Sequence, residues 1–216
     1  MNTIDMYLSR LHGDDQAAAR RDPTGARGKT LQEIRLAARG RFQALADRIA
    51  TIRQETSRSP VGIQQAIAEL ASKTDLGFLT SAQASTDDDL ARYRMLLCTT
   101  PKSDKSEVLA FLSEQEIRAK YADAPPHVVL MAYQLAVTEG HYEGQRALTQ
   151  GPLGSLVDKE FQHRALLDHA KKTQPAVYES FEQAQIMKEH LDSLADQAQQ
   201  VLAVLKDETP ARAAVA

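Results

Sequence analysis

Glu160 and His163 are the pair of residues whose types and spacing come nearest to a metal site. They are three residues apart in a predicted helix, so both side chains project from the same face. The pair is half of the pattern of carboxylate-bridged di-metal centres, which needs a second Glu-x-x-His pair and two more glutamates. Because the sequence has no second pair, we interpret both as solvated surface groups and expect no metal or cofactor. A metal-dependent enzyme using them is our third hypothesis.

Cys98 is the single cysteine of the chain and cannot form a disulfide within it. We predict that it lies near the C-terminal end of an apolar helix, where the helix dipole disfavours a thiolate, so we expect a buried, unreactive thiol. The motifs of P-loop and dinucleotide binding, of serine hydrolases with a nucleophile elbow and of zinc proteases do not occur. We therefore predict no catalytic residues and a protein that is not an enzyme.

Basic residues are concentrated between Arg20 and Arg58, where ten Lys and Arg stand against four Asp and Glu. Five of them flank an apolar stripe on a predicted helix of residues 30–56, and this basic face consists of Arg35, Arg39, Arg41, Arg48 and Arg53. Arginine suits phosphate because its planar guanidinium donates to two oxygens at once, so a nucleic-acid-binding protein is our second hypothesis. Charges beside an apolar stripe are also typical of helix pairing, and the aromatic residues of single-strand binders are missing. We therefore favour protein contacts for this helix.

The segment from about Gln174 to Asp207 has the most regular apolar pattern in the chain. Apolar residues recur there in heptads, with Ser180 as the one break, and the predicted coiled-coil face consists of Val177, Phe181, Ala184, Met187, Leu191, Leu194, Ala198, Val201 and Leu205. About four heptads predict a helix roughly 50 Å long. Such a helix either packs along the rest of the chain or pairs with another chain, and the pattern leaves both open.

The composition favours an all-α fold. The chain of 216 residues has 33 alanines and 24 leucines but only 10 valines and 8 isoleucines, and β-branched residues are those that favour strands. We predict a multi-helix bundle with a long C-terminal coiled-coil-like helix and a basic amphipathic N-terminal helix. The predicted regions are an arm with the arginine-rich helix (1–58), a helical core (59–172) and the long helix with a frayed tail (173–216).

Two stretches of the predicted core have distinctive compositions. Residues 128–138 are the most apolar stretch and are expected to form the central helix of the core. Residues 73–85 contain Gly77 and a run of Ser, Thr and Ala, which predicts a loop.

The leading hypothesis is a non-enzymatic helical interaction or assembly protein that acts through amphipathic helix pairing. It would be an adaptor, a scaffold or a structural component of a larger complex such as a virion or a secretion assembly. Its expected partner is another protein or a second copy of the chain. We expect no membrane partner and a cytoplasmic location, because no signal peptide is recognisable and no apolar run reaches about 18 residues.

Overall fold

The computed structural model describes residues 23, 25–99, 103–150 and 154–207. The regular structure of these residues is entirely α-helical. The helices are α1 (Gly25–Gln54), α2 (Pro60–Ser72), α3 (Gly77–Leu97), α4 (Glu107–Tyr121), α5 (Pro126–Thr138), α6 (Tyr142–Thr149), α7 (Lys159–Thr173) and α8 (Pro175–Asp207). The predicted all-α class is thus confirmed for this part of the chain. Residues 1–22 and 24 of the predicted N-terminal region (1–58) and the predicted frayed tail (208–216) lie outside the described residues.

None of the helices in these ranges combines the length and the apolar character needed to cross a membrane.

Side-chain caps fix the start of several helices. The Ser59 hydroxyl accepts the Gly62 N–H at 3.1 Å, with a proline as the first residue of α2. The Asp158 carboxylate accepts the Phe161 N–H at 2.8 Å at the start of α7. Such caps satisfy backbone donors that have no partner within the helix.

The predicted loop over residues 73–85 is wrong beyond Gly77, because α3 begins there. Asp75 stabilises the start of α3, since its Oδ1 accepts the Gly77 N–H at 2.7 Å. Leu79, two residues into α3, is buried and belongs to a hydrophobic core. The cap and the buried leucine outweigh the modest helix propensity of the Ser and Thr residues that suggested a loop.

The chain divides into two compact units. Unit 1 comprises the described residues of Met1–Leu90 and Glu182–Ala216, and unit 2 those of Ala91–Phe181. The limits of the units fall within α3 and α8. The predicted division at residues 58 and 172 stays a prediction.

Unit 1 has its core between α1, α2, the start of α3 and α8. The apolar stripe of α1 supplies Ala38, Phe42, Leu45 and Ile49, all of which are at most 4% exposed. The fully covered members opposite include Ile67 of α2, Leu79 of α3, and Ala198 and Leu205 of α8. The helical spacing of apolar residues in α1 and α8 therefore corresponds to two faces that pack together in one core.

Unit 2 is built around α5. Val129, Tyr133 and Val137 of α5 form one core cluster with Leu148 of α6 and Ala165 of α7. α6 packs against both α4 and α5, and α7 packs against α5. The apolar stretch predicted to form the central helix thus lies in a core, but only with one of its faces.

Candidate functional site

The predicted coiled-coil face of α8 lies inside the chain. Eight of its nine residues are buried, at 0–7% exposure, and Val177 is half-buried. Leu194, Ala198, Val201 and Leu205 belong to the core of unit 1, while Met187 and Leu191 contact Leu31 of α1. A coiled coil between chains over this face would require α8 to leave that core first.

The predicted basic face is divided by the buried stripe of α1. Arg35 lies on the flank towards α8, where its Nη2 is 3.3 Å from Nδ1 of His190. Arg41 lies on the other flank, where it donates to the Asp75 carbonyl and its guanidinium carbon is 4.2 Å from the centre of the Phe78 ring. Arg39, Arg41, Arg48 and Arg53 are exposed. The five arginines therefore do not converge on one surface.

Arg41 and Arg48 line a groove of about 470 Å³ between α1 and the C-terminal end of α2. We call it the basic groove, and its lining residues are Arg41, Ala44, Leu45, Arg48, Leu70, Lys73, Thr74 and Asp75. Lys73 lines the same groove as the two arginines. Sequence reasoning missed this, because Lys73 is 25 positions beyond Arg48 and was predicted to lie in a loop.

His163 and Glu160, the predicted metal pair, have different partners in the structure. His163 Nδ1 is 3.5 Å from the Cys98 Sγ, and the Glu160 carboxylate forms an ion pair with Arg164 at 3.0 Å. In the described ranges, no three His, Cys, Asp or Glu residues are grouped so that they could hold a metal ion. The 65 residues between Cys98 and His163 gave the sequence no signal for this contact.

The environment of Cys98 disfavours its thiolate. Burial raises the pKa of the thiol, and the nearby Arg94 opposes that shift only in part. Burial also raises the pKa of Tyr133 to about 12, with a smaller contribution from Cys98. A thiol nucleophile needs the opposite shift, because the thiolate is the reactive form.

Glu143 is the most deeply buried carboxylate of unit 2 and was not singled out from the sequence. Its side chain is 7% exposed, and its Oε1 accepts a hydrogen bond from the Ser103 hydroxyl at 2.6 Å, with Lys105 Nζ at 3.5 Å. The Ser103 hydrogen bond is the main cause that lowers the pKa of Glu143, and burial opposes it. The site tethers the residues before α4 to α6.

This network predicts a specific acid sensitivity of unit 2. The pKa of Glu143 in the folded protein lies below the ordinary value of 4.5. The ionised carboxylate therefore stabilises the folded state fully above pH 4.5, and this contribution is lost as the pH falls through the folded pKa. We expect Glu143→Gln to lower stability at neutral pH and to flatten the stability profile below pH 4.5, as followed by urea unfolding across pH. The exposed Glu116→Gln is the control and should change neither. A profile that keeps its full slope in Glu143→Gln would contradict this.

Exposed apolar surface is concentrated in unit 2. Twelve large apolar side chains of the described residues are exposed, and nine of them lie in unit 2. These nine residues, which we call the apolar surface, are Met95, Leu96, Val108, Leu109, Phe111, Leu112, Val128, Met131 and Leu135. Exposed apolar patches beyond a few hundred Å² are typical of interaction sites.

The outer face of α5 has the most regular spacing of residues within the apolar surface. Val128, Met131 and Leu135 are spaced i, i+3 and i+7, which places them within a narrow stripe of the helix. Met131 is 69% and Leu135 57% exposed. α5 contains no Asp, Glu, Lys or Arg, so this stripe has no charged residue on its own helix.

The first half of α4 is apolar on nearly every side. Val108, Leu109, Phe111 and Leu112 are all more than half exposed, while Ala110 between them is buried. A helix segment that is apolar all round is normally covered by other elements. In unit 2 only one side of this segment is covered, so the other sides are available to a partner.

Comparison with protein-family models, with curated proteins and with solved structures finds no match to this chain. The proposals that follow therefore depend on the residues and distances given above.

Proposed function

We propose that the protein is a non-enzymatic helical assembly protein, and that the apolar surface of unit 2 pairs with a second copy of the chain. The observation that carries this is the uncharged stripe of Val128, Met131 and Leu135, exposed on a helix whose other face is already buried. Helix pairing is the mode that the sequence predicts. The proposal moves it from the buried face of α8 to the outer faces of α4 and α5.

The combined exposed area of these nine side chains bears on whether pairing could be stable. Side chains of these types bury on the order of 100 Å² each when they are covered. Covering all nine would remove an area close to the roughly 800 Å² per partner of a standard interface. Covering them would contribute about 25 cal/mol for each Å² of apolar area, against the entropy lost on association.

A second copy is the simplest occupant of this stripe. Across a two-fold axis the same stripe faces itself, so both sides of the contact are apolar. The lack of charged residues on α5 means that self-pairing brings no like charges of that helix together. A partner selected by charge would need complementary charges on this face, and α5 offers none.

The test is the mass of the full chain by size-exclusion chromatography with light scattering over a range of concentrations. We expect a dimer for the wild type, and at least tenfold weaker dimerisation for Met131→Lys and for Leu135→Lys. Leu36→Lys is the matched control, because Leu36 is exposed to a similar extent but lies on α1 in unit 1. It should dimerise like the wild type. At concentrations too low for dimerisation all variants should melt alike, because the replaced side chains are exposed.

Two results would contradict the proposal. One is a wild-type chain that stays monomeric at the highest soluble concentration, which would leave a different protein as the occupant of the apolar surface. The other is a dimer that Met131→Lys and Leu135→Lys leave intact, which would place the contact elsewhere.

Nucleic-acid binding through residues 30–56 is the second candidate, supported by the exposure of Arg39, Arg48 and Arg53. It ranks lower because the arginines occupy two flanks of α1, whereas a nucleic-acid backbone needs a continuous basic track. We place the assembly in the cytoplasm, as predicted from the sequence.

A further inference from the structure

The basic groove owes its shape to a small residue between two large ones. Arg41 and Arg48 are seven residues apart, so they lie on the same side of α1 with about 10 Å between their Cα atoms. Ala44 stands between them and leaves space, and Leu45, which is 4% exposed, lies at the base. Lys73 lines the groove from the end of α2. The volume of about 470 Å³ falls within the range of small-molecule sites.

The charge of the groove is predominantly positive. Three cations line it against one carboxylate, that of Asp75. Both oxygens of that carboxylate already have partners. Oδ1 accepts the Gly77 N–H at 2.7 Å, and Oδ2 is 3.7 Å from Nη1 of Arg41. An anion entering the groove would therefore meet cations on both walls.

Arg41 is held in place before any ligand arrives. Its guanidinium stacks over the Phe78 ring at 4.2 Å and donates to the Asp75 carbonyl. A guanidinium fixed in this way loses less conformational entropy when it binds an anion. It still has donors to offer, since an arginine carries five N–H groups.

The other two cations are available to a ligand. Arg48 is exposed and makes no hydrogen bond or ion pair with any residue in the part of the chain that the structure describes. Lys73 has Glu69 as its partner in a surface pair spaced i, i+4, with both side chains about 70% exposed. Pairs of this kind contribute little and exchange readily.

We infer that the basic groove binds a short polyphosphate group, either inorganic or carried by a small phosphorylated molecule. Arginine forks suit phosphate oxygens, and the spacing of Arg41 and Arg48 accommodates more than one phosphate. Arg39 and Arg53 lie on other sides of α1, so the cations form a local site and not a track. This inference is independent of the pairing proposed for unit 2.

The test is isothermal titration calorimetry of the full chain with inorganic pyrophosphate and with ADP. We expect saturable binding with one site, weakened at least tenfold in Arg48→Gln and in Lys73→Gln. Arg53→Gln is the matched control, because it removes the same charge from the same helix outside the groove. It should bind like the wild type. Equal affinities for pyrophosphate and ADP would support the site and show that the phosphates alone are recognised. Tighter binding of ADP would also support it and show that the rest of the nucleotide contributes.

Three results would overturn the inference. One is the absence of saturable binding of either probe at low salt. The second is an equal loss in Arg48→Gln and Arg53→Gln, which would indicate diffuse attraction to α1. The third is a single-stranded oligonucleotide that binds far more tightly than pyrophosphate and loses affinity in Arg39→Gln and Arg53→Gln as well, which would assign α1 to nucleic acid. Melting curves should be the same for Arg48→Gln, Arg53→Gln and the wild type, because both side chains are exposed. A difference in affinity between the two variants then reflects binding and not folding.

Discussion

Replacing Leu191 by alanine is expected to lower the free energy of unfolding by about 2–5 kcal/mol. Leu191 is 0% exposed and forms a buried cluster with Leu31 and Met187. The truncation removes apolar contacts and leaves a cavity that rigid helix backbones close only in part. The measurement is urea unfolding followed by circular dichroism. It is made in the Met131→Lys background, so that pairing through unit 2 does not contribute.

Two comparisons show whether the face of α8 serves the chain itself or a second chain. Val204→Ala is the control on the same helix, because Val204 is 42% exposed and its truncation should cost well under the Leu191 value. If α8 packs within the chain, the unfolding midpoint is independent of protein concentration with either residue at position 191. A midpoint that rises with concentration and loses that dependence in Leu191→Ala would show that the face pairs chains.

The heptad pattern of α8 predicted the helix, and its buried residues lie where that pattern placed an apolar face. The pattern could not reveal what covers that face. Periodicity determines which side chains share one side of a helix. The apolar stripe of α1 and the α8 of a second chain could each pack against that side. In the structure, the stripe of Phe42, Leu45 and Ile49 belongs to the same core as the C-terminal half of α8.

α5 shows the opposite limit of sequence reasoning. Its apolar composition predicted the central helix of the core, and the side with Val129, Tyr133 and Val137 is buried in a core while the opposite side is exposed. A unit with few helices cannot surround each of them, so an evenly apolar helix keeps one exposed side. The sequence identifies this helix as apolar, whereas the exposed side follows only from its packing against α6 and α7.

Contacts between distant residues were out of reach of the sequence. Ser103 and Glu143 are 40 positions apart, and Cys98 and His163 are 65 apart. Neither pair has a spacing that a single helix or turn could explain, so only the tertiary fold brings them together. The sequence could predict one side of the basic groove, because helical spacing places Arg41 and Arg48 on one flank of α1.

Arg118→Met is expected to destabilise unit 2 by about 3 kcal/mol or more, because it leaves several partly buried carbonyls without a donor. Arg118 is 8% exposed, and its Nη1 donates to the carbonyls of Ala147 at 2.8 Å and Gln150 at 3.0 Å. Its Nη2 donates to the carbonyl of Gly154. The guanidinium thus holds the C-terminal end of α6 and the residue that leads towards α7. Methionine would leave three carbonyls without this donor and remove a positive charge from a helix C-terminus.

Two further variants separate the hydrogen bonds of Arg118 from its charge. Arg118→Lys keeps the charge, but one ammonium cannot reproduce the fork that reaches three carbonyls, so we expect an intermediate loss. Lys120→Met is the control, because it removes a charge from an exposed position of α4 and should change stability by less than about 0.5 kcal/mol. Hydrogen exchange should localise the loss of protection in Arg118→Met to the end of α6 and the residues after Gly154. If Arg118→Lys matches the wild type, the charge alone stabilises this end of α6. If Arg118→Met itself costs less than about 1 kcal/mol, water replaces the guanidinium at these carbonyls and α6 is held by its apolar contacts.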